Sequence, residues 1–93
     1  MEFRWVEWNI AKVMQHGVTP QEAEYVVDRA ANPYPQYRPD EKFLVWGAAP
    51  ASRLLQVVYL IDEDDTVFVI HARPLTENEK RRRRRQFRKR GKQ

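Results

Sequence analysis

The residues best suited to proton transfer beside an anion stand in the C-terminal half of the chain. His71 can act as a base or an acid, since an imidazole titrates near neutral pH. Arg73 follows two positions later, and its forked N–H donors suit the oxygens of a phosphate. Arg53 adjoins the preceding apolar run and is a third candidate. We predict that these three residues form a site for acid–base chemistry on a bound phosphate.

A structural interpretation stands beside each of these candidates. A histidine near the end of a strand is often a satisfied structural residue. Arg73 can simply pair with one of the carboxylates of the chain, and Arg53 can be a solvated turn residue. These alternatives stay open at the level of the sequence.

Lys12 and His16 are a further pair of candidates in the N-terminal part of the chain. They are four positions apart and therefore share one face of a helix, where they can add a second cationic element to the same cleft. The competing interpretation, which the sequence favours, is that His16 precedes a C-capping Gly17 and meets the negative end of its helix.

The charge of the chain is divided between two regions of opposite sign. Residues 1–73 carry seven Lys/Arg against eleven Asp/Glu, whereas residues 74–93 carry ten against two. This asymmetry indicates an acidic globule with a basic arm, whose partner is a nucleic acid, an acidic protein or an anionic membrane surface. We expect the arm to contact phosphates through Arg81, Arg82, Arg83, Arg84, Arg85 and Arg88. Docking on an acidic segment of a protein partner and a merely solvated tail are the alternatives.

A short strand and a short helix are expected at the N-terminus, before Thr19. The aromatic-rich residues 3–8 predict a short strand. Asn9 then predicts the cap of a two-turn helix that ends at Gly17, a residue suited to a left-handed C-terminal position.

The second helix has a capping box. Thr19 is the expected N-cap, Pro20 occupies the first helical position and Glu22 completes the box. An apolar stripe then runs to a predicted end near Ala31. The following segment, NPYPQYRPD, holds three prolines and predicts a loop.

Three runs rich in β-forming residues follow, over residues 43–47, 54–61 and 66–73, and predict an antiparallel meander. Strict alternation along the last run predicts that Val67, Val69, His71 and Arg73 share one face. A second capping box, from Thr76 to Glu79, predicts a basic last helix.

The predicted fold class is therefore α+β: one domain of order β-α-α-β-β-β-α, with a globule over residues 1–80. Residues 81–93 are expected to form the end of the basic helix and a partly disordered tail, because successive arginines repel one another.

Composition excludes several classes of protein. The 93 residues fit one domain, and the chain has no cysteine for a disulfide or a thiolate metal site. The two histidines are not spaced to bind zinc, so neither a metal nor a cofactor is expected. The N-terminus lacks the apolar core of a signal peptide, and the longest apolar run is far too short to cross a bilayer. We therefore expect a cytoplasmic protein without a membrane partner.

Several strings of the chain, in order, resemble the BrnT family of toxins from type II toxin–antitoxin systems. They are EWN, HGVTPQE, FLVWG, the residues around Arg53 and Val57, and VIHARPLT leading to EKRR. The resemblance extends from Glu7 to about Arg84, and HGVTPQE and HARPLT are its most specific strings. Two positions depart from the family: the arginine run lacks its usual tyrosine, and His71 stands where a serine or threonine is common.

The resemblance implies a RelE-like fold and a ribonuclease that arrests translation, whether or not it acts on the ribosome. It also implies neutralisation by a cognate antitoxin, with DNA bound only through the complex of the two proteins. Metal-independent cleavage of RNA needs a base for the 2′-hydroxyl and cations for the charge that grows on phosphorus. His71, Arg73 and Arg53 are the residues expected to supply them.

The alternative function is a non-catalytic module that binds RNA or a protein partner on the same scaffold. Trp5, Trp8 and Trp46 could stack on bases in either case. Aromatic residues in strands and at helix starts usually belong to the core, and we expect that for all three.

Overall fold

The computed structural model describes residues 1–91 of the chain, with side chains through Arg88. Four strands form one antiparallel sheet in the order β1-β2-β3-β4. The elements, in chain order, are α1 (Glu7–Met14), α2 (Pro20–Asp28), β1 (Gln36–Arg38), β2 (Lys42–Ala48), a 3₁₀ turn (Pro50–Ser52), β3 (Leu54–Ile61), β4 (Val67–Pro74) and α3 (Glu77–Gly91). The α+β class and the antiparallel sheet are confirmed.

The main core lies on one face of this sheet, beneath α1 and α2. Val13 and Val26 bring the apolar sides of these helices onto the central strands, where Val45 and Val57 pair across β2 and β3. Helix α2 approaches strand β2 closely at Gly47, where an added Cβ would lie 3.1 Å from a methyl group of Val26. Small and β-branched residues therefore allow α2 to pack tightly on the sheet.

The predicted first strand is wrong. Residues 3–8 form only an isolated parallel bridge, from Phe3 to Val67, and α1 begins already at Glu7. The fourth strand is instead β1, which lies within the proline-rich segment predicted as a loop and pairs with β2 from Gln36 to Arg38. A three-residue edge strand between prolines has too short a pattern to be recognised, and it exists because β2 offers it a partner.

The residue that caps the start of a helix was predicted correctly for α2 and α3 but not for α1. Thr19 and Glu22 form the predicted capping box of α2, with the Glu22 N–H donating to Thr19 Oγ1 at 3.1 Å and the Thr19 N–H donating to Glu22 Oε1 at 3.0 Å. Thr76 and Glu79 repeat it at the start of α3. The end of α2 falls at Asp28, earlier than predicted.

Asn9 is not the N-cap of α1 but lies in its first turn, fully buried. Its Oδ1 accepts a hydrogen bond from the Val6 N–H at 2.7 Å, and its Nδ2 donates to the carbonyls of Arg4 and Val69, each at 3.1 Å. One amide side chain thus joins the N-terminal segment, the start of α1 and strand β4.

A β-bulge in β4 changes the face on which His71 lies. Val58 pairs with His71 whereas the next residue of β3, Tyr59, pairs with Val69, so Ile70 is an extra residue in β4. An extra residue reverses the alternation beyond it. His71 and Arg73 share one face, as predicted, but it is the face opposite to the buried Val67 and Val69, which the alternation had placed with them.

Helix α3 lies across this second face and is attached through polar and aromatic side chains. Arg73 of β4 pairs with Glu79, the guanidinium of Arg82 stands 5.3 Å from the ring centroid of Trp46, and the Tyr34 hydroxyl donates to Gln86 at 2.7 Å. The helix continues through the arginine run to Gly91. Partial disorder of residues 81–93 remains a prediction, and residues 92 and 93 lie outside the described residues. No helix within residues 1–91 is long and apolar enough to span a membrane.

Candidate active site and arginine surface

Two imidazoles meet where the end of α1 approaches strand β4. The ring centroids of His16 and His71 are 5.7 Å apart, and the ring planes are inclined by 60°. His16 is exposed and His71 is half-buried. Neither ring has a hydrogen-bond partner among the side chains and backbone groups that the structure describes, so both are available to a ligand. The structure thus brings together the two histidines that the sequence placed in separate candidate groups.

Positive charge surrounds this pair. Burial is the main reason that the pKa of His71 lies below the ordinary value of 6.5, and the charges of Arg73, His16 and Lys12 lower it further. Burial and these charges therefore favour the neutral imidazole of His71, the form that accepts a proton. Lys12 lies on α1, four residues before His16, and has no ion-pair partner within the described part of the chain.

Arg73 is held by a carboxylate, as the structural interpretation anticipated. Its Nη1 and Nη2 each lie 2.8 Å from an oxygen of Glu79, and Nη1 also donates to the Pro74 carbonyl at 3.0 Å. A guanidinium has five N–H donors. The Nε–H and one Nη2–H have no partner among the described residues, and together they form a second two-donor fork.

Arg53 contacts the turn between α1 and α2, whereas Arg73 contacts α3. Its Nη1 donates to the Gly17 carbonyl at 2.9 Å and stands 3.2 Å from Glu22 Oε2. Arg53 thus ties the turn between α1 and α2 to the start of β3. Its position beside Gly17 (φ 72°) supports the loop that carries His16.

The basic residues of α3 divide into an outer set and an inner residue. A shallow groove of about 280 Å³ is lined by Asn78, Arg81, Arg82 and Arg85. Among the side chains described through Arg88, the exposed arginines of the helix are Arg81, Arg82, Arg84, Arg85 and Arg88. Arg83 turns inward, 4.6 Å from the ring centroid of Phe87, and burial lowers its pKa below its usual range. Five of the six arginines predicted to contact phosphates therefore have exposed side chains that a phosphate can reach.

The three tryptophans have different environments. Trp46 is 9% exposed and donates from Nε1 to Gln56, and the partly buried Trp5 donates from Nε1 to Glu24 at 2.7 Å. Trp8 is 53% exposed, contrary to the expectation that it belongs to the core. Trp8 and Lys12 lie one turn apart on α1, whereas His16, predicted on the same helix face as Lys12, lies in the turn beyond the end of the helix at Met14.

No group of three or more His, Cys, Asp or Glu side chains within the described ranges is placed to hold a metal ion. Comparison with known protein families, with curated proteins and with solved structures gives no match.

Proposed function

We propose that this chain is an endoribonuclease that cleaves RNA without a metal ion, through His16 and His71. The observation that supports this most directly is the 5.7 Å separation of the two imidazoles beside Lys12 and Arg73. Two imidazoles this close can both reach one phosphodiester, and neighbouring cations stabilise the charge that develops on it.

In the proposed reaction His71 takes the proton of the 2′-hydroxyl, and the 2′-oxygen forms a bond to phosphorus. The bond from phosphorus to the 5′-oxygen then breaks, and His16 donates a proton to that oxygen. The products are a 2′,3′-cyclic phosphate and a free 5′-hydroxyl. His16 is assigned as the proton donor because it is exposed and is the second imidazole of the site, 5.7 Å from His71.

Lys12 and the open fork of Arg73 are the cations proposed to bind the non-bridging oxygens. Glu79 holds the guanidinium in place while leaving two of its donors free, which lowers the entropy lost on binding the phosphate. Arg53 is proposed to position the His16 loop through the Gly17 carbonyl, and not to touch substrate.

The biological setting proposed is a type II toxin–antitoxin system, with this chain as the toxin. The support is its resemblance to the BrnT family from Glu7 to about Arg84, together with the α+β class and antiparallel sheet that the resemblance implies. In that setting a cognate antitoxin neutralises the chain, the complex of the two proteins binds DNA, and the exposed arginines of α3 bind RNA or the ribosome.

The decisive experiment is cleavage of total RNA by purified protein, with wild type beside His71→Ala and Arg73→Ala. The proposal requires that both variants stay folded by circular dichroism and lose cleavage. Full activity in both variants, or intact RNA with the wild type, would refute it.

One observation favours the alternative, a non-catalytic module that binds RNA or a protein partner. Both Arg73 and Arg53 already have carboxylate partners, Glu79 and Glu22, so part of the expected cationic site is neutralised within the fold. Inducible expression separates the two functions, because growth arrest with degradation of RNA is expected from the nuclease alone.

A further inference from the structure

Trp8 is a large apolar side chain that the fold leaves open at the surface. It is 53% exposed although it stands in the first turn of α1, beside the buried Asn9. Exposing an indole costs free energy that burial would recover. Such a side chain is therefore a candidate for contact with a ligand.

The surroundings of Trp8 are aromatic and cationic. Its ring is parallel to that of Phe68 in β4, with 5° between the planes and 6.1 Å between the centroids. The Lys12 ammonium lies 5.7 Å from the centroid of Trp8, and the Arg4 guanidinium lies 4.2 Å from that of Phe68. Arg4 is fixed there by Asp62 at 2.8 Å, whereas Lys12 has no ion-pair partner in the described portion of the chain.

This aromatic surface is continuous with the candidate active site. Trp8 and Lys12 lie one turn apart on α1, and His16 follows four residues later in the turn after the helix, where it meets His71. Phe68 and His71 lie on the same face of β4, because the bulge at Ile70 brings His71 onto the side of Phe68. One strand of a ligand can therefore run from the indole past Lys12 to the two imidazoles.

We propose that Trp8, supported by Phe68, is a stacking subsite for an unpaired nucleobase of the RNA. Lys12, which is proposed to bind the scissile phosphate, lies between this base and the two imidazoles. The inference rests on the proposed function in that RNA is the ligand, and it specifies the substrate class as single-stranded RNA. Stacking on an aromatic ring requires a base with an open π-face, which the bases inside a duplex lack.

The two cations beside these rings favour RNA over a protein partner as the ligand of this surface. A surface that binds an apolar protein segment is expected to be depleted of charge at its centre. Here Lys12 and Arg4 stand directly over the two aromatic rings. Alternating rings and cations are the combination that binds bases and phosphates of a single strand.

The test is the binding of a fluorescent 2′-O-methyl oligonucleotide, which lacks the attacking hydroxyl and so is not cleaved. It is measured as a single strand and annealed to its complement, with wild type, Trp8→Ala, Trp8→Leu and Trp8→Phe. Met14→Ala is the matched control, since Met14 is 57% exposed on another face of the same helix.

We expect the alanine and leucine variants to lose about tenfold or more in affinity for the single strand. The phenylalanine and Met14 variants should bind like the wild type, and the duplex should bind the wild type at least about tenfold more weakly. Unchanged affinity in Trp8→Ala overturns the subsite. Equal affinity in Trp8→Leu and Trp8→Phe overturns stacking and indicates an apolar contact of the kind a protein partner makes.

Cleavage of unmodified RNA by the same proteins keeps the two proposals distinguishable. If wild type cleaves RNA while Trp8→Ala binds normally, the stacking subsite is refuted and the nuclease stands. If wild type cleaves no RNA but Trp8→Ala and Trp8→Leu lose affinity for the single strand while Trp8→Phe and Met14→Ala keep it, the subsite stands and the nuclease is refuted.

Discussion

Arg73 and Glu79 form a two-point ion pair in which each carboxylate oxygen lies 2.8 Å from a guanidinium nitrogen, Oε1 from Nη1 and Oε2 from Nη2. The pair joins the last strand of the sheet to the first turn of α3. Hydrogen bonding from Arg73 is the main reason that the pKa of Glu79 is lowered from 4.5 to about 2. This carboxylate therefore both holds the candidate catalytic arginine and attaches the basic helix.

Glu79→Gln should destabilise the fold by about 1–3 kcal/mol at neutral pH, because it removes a largely covered charge partner of Arg73. A carboxyl whose pKa is lowered on folding contributes stability above its unfolded pKa. That contribution is lost as pH falls from about 4.5 towards 2. Urea unfolding across this pH range should show the variant and the wild type converging in acid.

Glu77→Gln is the matched control. Glu77 lies in the same turn of α3, but its side chain is 77% exposed and its ion pair with Lys80, at 3.3 Å, is open to solvent. Its effect should stay within about 0.5 kcal/mol. An equal loss in the two variants would contradict the assignment of the acid-sensitive contribution to Glu79.

His71→Ala should lower kcat/KM for RNA by a factor on the order of 10² to 10⁴, the usual contribution of a positioned proton acceptor. Because the neutral imidazole is the base and its pKa is lowered, wild-type activity should rise with pH around a midpoint below 6.5. The measurement is the pH profile of cleavage.

His16→Ala should also lower kcat/KM by a factor on the order of 10² to 10⁴, because the leaving 5′-oxygen loses its proton donor, while the rise of activity with pH assigned to His71 remains. Both variants need a check of folding by circular dichroism. Unchanged kcat/KM in either one would show that its imidazole takes no part in proton transfer.

The arginine groove on α3 should contribute salt-dependent affinity for RNA. In the double variant Arg81→Gln and Arg85→Gln, the slope of log affinity against log salt should fall by about 1.4, since each lost phosphate contact on a single strand removes about 0.7. The matched control is Arg29→Gln with Arg38→Gln, which removes the same charge elsewhere on the surface. Equal changes in the two double variants would point to net charge rather than to the groove.

Asn9→Ala should destabilise the protein by about 2–4 kcal/mol, because it leaves the Val6 N–H and two carbonyls without their buried partner. Gln15→Ala, at an exposed position near the end of the same helix, should cost less than about 0.5 kcal/mol. The midpoints of denaturant unfolding give both values. A small effect of Asn9→Ala would mean that other groups or water satisfy these backbone atoms.

The sequence by itself determined the features that depend on a few neighbouring residues. The two capping boxes, the three long strands and the basic last helix were all predicted, because a cap or a strand pattern is complete within several consecutive positions. The candidate residues at the site were also recognisable by type, since an imidazole or a guanidinium has its chemistry wherever it lies.

Only the tertiary structure decided which of these residues meet. Strand β1 exists through its pairing with β2, and the bulge at Ile70 sets the face of His71 through its register with β3. The approach of His16 to His71 and the exposure of Trp8 follow from where α1 lies beside β4. Each of these is a contact between segments that are far apart in the sequence. A local sequence pattern does not specify which distant segment a residue will contact.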